Sequence, residues 1–218
     1  MKNNFRILSI ILLSSCSSLD FSKVAPAYVG AYEAIKVVLV GYENHNITPE
    51  LIENIPYASM TLKVGKGPLG LTILESKTNN MSTWVSADNV FIVEQSGKII
   101  QTKGLGNNLD ELLATVDFKN LLEIDTDKTY TYYQSYSNPE LINLKLTAQF
   151  EIKDKKLTQL LNREMYLTLI EERIYSDELG WKVTNLYWVD DSSFIWKSIQ
   201  TISPKIPKIY VEVTKKPS

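Results

Sequence analysis

The run LKLTAQFEI at residues 144–152 decides the fold class. Its apolar residues stand at positions 144, 146, 148, 150 and 152, and Lys145, Thr147, Gln149 and Glu151 lie between them. Strict alternation gives a strand one buried face and one face toward water, which is typical of antiparallel sheets. The run therefore predicts a mainly β protein.

Similar strand patterns continue on both sides of this run. Turn residues separate the patterns on the C-terminal side, at residues 165–175, 181–189, 194–202 and 209–213. On the N-terminal side, two hairpins are predicted from residues 60–64 with 69–74, and from 84–86, 90–93 and 99–102. We expect an antiparallel meander that forms a barrel or a strongly curved sheet.

A few short helices are also predicted. Apolar residues at helical spacing indicate an N-terminal amphipathic helix over residues 26–38. Thr48 is a typical N-cap, and Pro49 suits the first position of the short helix that follows. Asn108 precedes apolar residues at 109, 112, 113 and 116, which predicts a third helix.

The N-terminal sequence has the pattern that is typical of a bacterial lipoprotein signal peptide. Lys2 and Arg6 precede a short apolar run, and small residues lead to Cys16, the single cysteine of the 218-residue chain. The Leu-Ser-Ser-Cys sequence at 13–16 looks like a lipobox, so Cys16 is the predicted lipidation site. Ser17 is not the aspartate that resembles an inner-membrane retention signal, which favours the outer membrane.

This reading divides the chain into three parts. Residues 1–15 are the predicted signal peptide, 16–23 a lipidated tether, and 24–218 a single mostly β domain. Loss of residues 1–15 removes two basic groups, so 21 basic groups face 25 acidic groups and the net charge is −4. This charge argues against a nucleic-acid partner, and the predicted membrane attachment comes from the lipid.

Catalytic and metal-binding patterns are sparse. His45 is the single histidine and lies between two asparagines before a helix cap, where a surface or capping role is the commoner one. Paired acids occur at Asp125 with Asp127 and at Asp190 with Asp191. They could serve glycoside hydrolysis or calcium binding, but aspartate is also favoured at turns for local hydrogen bonds. No cofactor or metal site is predicted.

Aromatic residues supply the candidate binding surface. Rings in strands usually pack in the core, yet they can also stack on sugar rings. Neighbouring residues in a strand point to opposite faces, so one member of the Tyr187-Trp188 pair is expected to be exposed. The candidate surface residues are Trp84, Trp181, Tyr187, Trp188 and Asp190.

Several segments resemble the YjbF/GfcB family of lipoproteins, which is linked to group 4 capsule and exopolysaccharide production. The most specific are PYAS at residues 56–59 and YWVD at 187–190, and further matches lie at 83–88, 97–105, 181–186 and 197–200. The segment after Asp190 departs from the turn expected in the family. The resemblance implies a mostly β lipoprotein on the periplasmic face of the outer membrane, working beside a β-barrel partner and other exopolysaccharide-operon proteins.

The leading functional hypothesis is a non-enzymatic accessory factor for capsule or exopolysaccharide export, with polysaccharide as a candidate ligand. Two alternatives remain open. One is a polysaccharide-modifying enzyme that uses Asp190 or Asp125 as acid or base. The other is a lipid or lipoprotein carrier resembling LolA and LolB, with an apolar hollow beneath the helix at 26–38.

Overall fold

The computed structural model describes residues 47–138 and 140–217, all within the compact unit Tyr42–Ser218. The predicted signal peptide, Cys16, the predicted helix at 26–38 and His45 lie outside the described residues, and the domain boundary at residue 24 stays a prediction. No helix among the described residues is long and apolar enough to cross a membrane.

The described chain consists of twelve strands and two short helical segments. The helical segments are α1 (Pro49–Asn54) and a 3-10 helix (Phe118–Glu123). The strands are β1 (Ser59–Val64), β2 (Gly70–Thr78), β3 (Met81–Ser86), β4 (Phe91–Gln95), β5 (Lys98–Lys103), β6 (Leu109–Ala114), β7 (Tyr130–Ser137), β8 (Glu140–Gln159), β9 (Glu164–Ser176), β10 (Trp181–Val189), β11 (Ile195–Gln200) and β12 (Ile209–Lys215).

All twelve strands belong to one antiparallel sheet in the order β5-β4-β3-β2-β1-β12-β11-β10-β9-β8-β7-β6. Strands that pair in the sheet are consecutive in the chain, except that β1 pairs with β12. The edge strands β5 and β6 are consecutive in the chain, and the Leu109 N–H donates to Thr102 Oγ1 at 2.9 Å between them. The sheet is therefore a nearly closed barrel, which confirms the predicted fold class.

Most of the deciding run behaves as its alternation predicts. Leu144, Leu146, Ala148 and Phe150 on β8 are all buried in the core. Ile152 departs from the pattern and is 37% exposed, because the register with β9 shifts between Ile152 and Lys155. Such an irregularity changes which face the following residues present.

The predicted helix after Asn108 is wrong, because the structure has strand β6 there. The register with β7 shifts between Leu109 and Glu111, so an extra residue on β6 brings both Leu109 and Leu112 to the buried face. The bulge gives the apolar residues a spacing of three that imitates a helix. Asn108 accepts the Leu105 N–H at 3.0 Å instead of capping a helix.

The helix at Thr48 is confirmed as α1. The Thr48 hydroxyl accepts the Leu51 N–H at 3.3 Å, and Pro49 occupies the first turn, where its missing N–H costs nothing. Ile52 is the buried residue of this helix.

The turn between β4 and β5 lies tightly against β11. Gly97 has a φ of +85°, and a Cβ at this position would come within 2.7 Å of the Ile195 side chain. Gln200 on β11 reinforces the contact, because its amide donates to the Gly97 carbonyl at 2.8 Å and its carbonyl accepts the Ile99 N–H at 3.0 Å. Buried polar bonds thus tie the β4–β5 end of the sheet to the opposite wall.

We predict that Gly97→Ala lowers the free energy of unfolding by about 1–3 kcal/mol, since it combines a strained backbone with a steric overlap. Urea unfolding of the full chain measures the change. Gly106→Ala is the matched control, because a Cβ at Gly106 meets no atom within 4 Å. Equal stability of the two variants would contradict the tight packing of this turn.

Candidate functional site

Asp190 organises the turn between β10 and β11. Its Oδ1 accepts the Ser192 N–H at 2.8 Å, the Ser192 hydroxyl at 2.5 Å and the Phe194 N–H at 3.1 Å, and its Oδ2 accepts the Trp196 indole at 2.8 Å. Burial tends to raise the pKa of Asp190, but the hydrogen bonds from Ser192 and Trp196 outweigh it and lower the pKa. These bonds engage the carboxylate in local structure.

Two of the predicted surface residues lie in the interior. Trp84 is 1% exposed and donates its indole N–H to Glu94 Oε2 at 2.9 Å, while Tyr187 is fully buried. Both rings occupy the inward phase of their strands, where large aromatic residues fill the core. Trp84 and Tyr187 were predicted on the outer surface, but in the structure they lie inside the barrel.

The two other tryptophans of the predicted surface, Trp181 and Trp188, are half-buried, whereas Tyr187 is buried. Trp188 is half-buried, and Lys197 Nζ lies 5.8 Å from its ring centroid. Trp181, at the start of β10, packs against the core. Of the Tyr187-Trp188 pair, Trp188 is the one that retains exposure, and the five predicted residues do not form one continuous outer surface.

A buried carboxylate occupies the middle of the barrel. Glu172 on β9 is fully buried, and its Oε1 accepts the Tyr132 hydroxyl at 2.6 Å. Its Oε2 accepts hydrogen bonds from Lys98 Nζ at 2.6 Å, from the Tyr187 hydroxyl at 2.6 Å and from the Asn185 amide at 2.8 Å. We call these five residues the buried network. It joins β5, β7, β9 and β10 across the interior.

The buried network holds its charges as an ion pair. Burial tends to raise the pKa of Glu172, but the Lys98 ammonium and the hydrogen bonds from Lys98, Tyr132 and Tyr187 lower it overall. Burial lowers the pKa of Lys98, and the charge and hydrogen bond of Glu172 only partly offset this lowering. The Lys98 ammonium also lies 5.5–5.7 Å from the ring centroids of Phe118, Tyr132 and Tyr187, which provide cation–π attraction.

A cavity of about 710 Å³ opens among the turns at one end of the barrel. Its rim combines the β2–β3 turn, the β4–β5 turn, the start of the 3-10 helix, the β10–β11 turn and the C-terminal segment. The lining side chains include the charged Lys77, Glu94, Asp117, Lys119 and Lys216, and the polar or aromatic Asn79, Asn80, Ser82, Trp84, Ser96, Ser192, Ser193 and Phe194. This volume is typical of small-molecule sites.

Glu94 is the buried acid of this cavity. It is 5% exposed, and burial raises its pKa to about 7, although the hydrogen bond from Trp84 works in the opposite direction. Its charge also raises the pKa of Tyr187, which connects the cavity floor electrostatically to the buried network. Glu94 can therefore exchange a proton near neutral pH.

The other predicted acid positions serve local structure. Asp125 Oδ1 accepts the Asp127 N–H at 3.0 Å in an exposed turn. Asp191 makes an ion pair with Lys155 at 2.5 Å on the surface. Within residues 47–138 and 140–217, no three His, Cys, Asp or Glu side chains group closely enough to hold a metal ion.

Sequence reasoning missed Lys98, Glu172 and Glu94. A signal for the two acids was present, because each stands in phase with buried apolar residues: Glu172 between Ile170 and Ile174, and Glu94 two residues after Ile92. A charge in phase with a buried face indicates a paired or functional group. Their partners come from distant strands, which a single sequence does not reveal.

These features define a class of protein: a twelve-stranded antiparallel barrel whose interior contains an ion pair and whose end carries a polar cavity. A protein-family model described as "Group 4 capsule polysaccharide lipoprotein gfcB, YjbF" matches residues 32–214. The chain belongs to this family, as its sequence resemblance indicated, and it is accordingly a capsule-associated lipoprotein.

Two Escherichia coli K12 lipoproteins are similar in sequence. YjbF is 24% identical over 203 residues, covering 92% of this chain and 91% of YjbF. GfcB is 24% identical over 157 residues, covering 70% of this chain and 73% of GfcB. The crystal structure of the E. coli K12 hypothetical lipoprotein YmcC has a TM-score of 0.72 at 19% identity, covers 85% of this chain and 96% of YmcC, and shows the same fold.

We predict that Lys98→Met destabilises the protein by about 3–5 kcal/mol, because it leaves Glu172 charged and buried without its main counter-charge. Glu172→Gln should also be destabilising, since it leaves the Lys98 ammonium unpaired. Chemical unfolding of both variants and of the double variant gives the test. The double variant should lose less stability than the two losses added, and simple additivity would contradict direct coupling of Lys98 and Glu172.

The pKa of Glu94 predicts a pH-dependent stability. The folded-state pKa of about 7 lies above the unfolded value of 4.5, so the folded protein binds the proton more tightly and loses stability as the pH rises between these values. The shift corresponds to about 3 kcal/mol in this window. Glu94→Gln should remove this part of the pH dependence in urea unfolding at pH 5 and pH 8, and an unchanged slope would contradict the assignment.

Proposed function

We propose that this protein is a non-enzymatic accessory factor in the export or assembly of a capsule or exopolysaccharide. In this proposal Cys16 carries the lipid, and the barrel lies at the periplasmic face of the outer membrane. The partners are other proteins encoded with the polysaccharide machinery, including a β-barrel of the outer membrane. Membership of the capsule lipoprotein family supports the pathway.

The proposal that the protein is not an enzyme rests on one observation: the carboxylates of Glu172 and Asp190 are occupied by hydrogen bonds within the protein. The carboxylate of Glu172 accepts hydrogen bonds from four side-chain donors, and that of Asp190 accepts three from the β10–β11 turn and one from Trp196 on β11. A general acid or base needs a proton-exchanging atom directed at its substrate. Of the two acids in the described lining of the cavity, Glu94 is buried and Asp117 is engaged as the N-cap of the 3-10 helix. This arrangement favours binding over glycoside hydrolysis, which uses two acids directed at the substrate.

The interior of the barrel also disfavours the carrier alternative. Large side chains fill it, among them Trp84, Tyr132, Tyr187 and Phe118, and the Lys98–Glu172 ion pair crosses it. A site for acyl chains needs a continuous apolar hollow, and a buried ion pair makes the surroundings of such a chain costly. The geometry of the described residues is better suited to a rigid scaffold with a polar cavity at its end.

We expect that deletion of the gene reduces polysaccharide at the cell surface while precursor synthesis continues. Immunoblotting of surface and intracellular polymer from the deletion strain and from a complemented strain separates export from synthesis. Unchanged surface polymer, or an equal fall in precursor, would overturn the proposal.

The membrane assignment has a separate test in Ser17→Asp. An aspartate directly after the lipidated cysteine should hold the lipoprotein in the inner membrane, so membrane fractionation should show a shift and surface polymer should fall. Ser22→Asp adds the same charge further along the tether and should change neither. Normal export with the protein retained in the inner membrane would contradict an outer-membrane site of action.

A further inference from the structure

We propose that the cavity among the turns at one end of the barrel binds an acidic saccharide segment, whose carboxylates pair with Lys119 and Lys216 and whose hydroxyls contact Glu94. This inference rests on the proposed function, because it names the ligand that an export factor would hold. It adds a binding site and a ligand class.

The rim of the cavity favours an anion. Among the described lining residues, the exposed Lys119 and Lys216 contribute two ammonium groups, whereas Asp117 is the one exposed acid. Asp117 already accepts the backbone N–H of Lys119 at 2.9 Å as the N-cap of the 3-10 helix. Lysine clusters of this kind attract carboxylates over several ångströms, most strongly at low salt.

The remaining lining is suited to sugar. Phe194 is half-buried at the rim, with Lys216 Nζ 4.2 Å from its ring centroid. The Lys216 ammonium lies over the ring, and this cation–π contact holds it at the rim as a partner for the carboxylate of a sugar. Asn79, Asn80 and Ser82 on the β2–β3 side supply amide and hydroxyl groups of the kind that hydrogen-bond sugar hydroxyls.

Glu94 is a buried polar residue of the cavity lining, and the surrounding fold holds it in place. Trp84 fixes the carboxyl group through Oε2, and within the described residues no hydrogen bond to Oε1 is present. Among the described residues, the charged or titratable groups around it are Lys77, Lys119, Lys216, Asp117 and Tyr187. When protonated, Glu94 can donate to a ligand hydroxyl or carboxylate. When ionised, it repels an acidic ligand.

Binding should therefore weaken as Glu94 loses its proton. The carboxylates of a uronic acid stay ionised from pH 6 to pH 8. Among the described residues that line the cavity, Glu94 is the group whose pKa lies in this range. If the ionised form binds poorly, the affinity should fall about tenfold between pH 6 and pH 8 for a pKa of about 7. A neutral saccharide should show a much smaller change.

The test uses the full mature lipoprotein in detergent micelles and titration calorimetry at low salt. The probes are tetragalacturonate, the neutral galactotetraose, and glycerol 3-phosphate as a soluble phospholipid headgroup. We expect tetragalacturonate to bind at least about tenfold more tightly than either of the others at pH 6. Equal binding of the acidic and neutral saccharides, preferential binding of glycerol 3-phosphate, or no binding of tetragalacturonate would overturn the proposal.

Variants locate the binding. Lys119→Ala and Lys216→Ala should each weaken tetragalacturonate binding by about threefold or more, since each removes one partly exposed ion pair. Lys182→Ala removes an exposed lysine of β10 that does not line the cavity, and should have no effect. Equal behaviour of the three variants would contradict binding at this site.

Glu94→Gln keeps an oxygen acceptor for the Trp84 indole and removes the titrating group. It should bind tetragalacturonate with nearly the same affinity at pH 6 and pH 8, whereas the unmodified protein loses about tenfold. Circular dichroism and urea unfolding confirm that the variant is folded. A tenfold loss retained in Glu94→Gln would overturn the role of this residue.

The outcomes separate this inference from the proposed function. If deletion of the gene impairs export but the lysine variants bind and complement normally, the cavity proposal fails and the export role stands. If deletion leaves export intact while the cavity binds tetragalacturonate as expected, the export role fails and the binding site stands.

Discussion

A carboxylate inside a β-barrel loses its hydration, and the protein must replace it with other donors. Glu172 is tolerated because Lys98, Tyr132, Tyr187 and Asn185 supply four donors from three other strands. A buried network with some of its hydrogen bonds missing makes a protein less stable than an apolar core does. A complete network fixes the relative positions of the strands that it joins. The arrangement of the barrel walls therefore depends on this cluster, particularly where the sheet closes weakly at β5 and β6.

The same constraint explains where a ligand can bind. Since ring side chains and the ion pair occupy the middle of the barrel, space remains at its ends, where turns replace paired strands. The turns themselves are held by their own polar side chains, as Asp190 holds the β10–β11 turn and Gln200 holds the β4–β5 turn. A rigid rim of this kind pre-organises a cavity, which reduces the entropy lost when a ligand binds.

The fold was largely predictable from the sequence because antiparallel strands show their buried face through alternation. The prediction failed at β6, where the bulge between Leu109 and Glu111 gave strand residues a helical spacing. The site was far less predictable. Trp84 and Tyr187 were recognisable as large aromatic residues, but whether a ring faces inward depends on register. The partners of Glu172 are up to 74 residues away in the chain, and only the folded sheet brings them together.

Glu94 and Glu172 show how one fold gives two buried acids different properties. Both are nearly inaccessible to water, yet the pKa of Glu172 is lowered and that of Glu94 is raised to about 7. The difference lies in their hydrogen-bond donors among the described residues, which are a cation and three neutral groups for Glu172 and one indole for Glu94. A fully paired acid is fixed in one charge state and serves the scaffold. An acid with a single donor beside a cavity keeps a proton to exchange, so the capacity to respond to a ligand lies with Glu94.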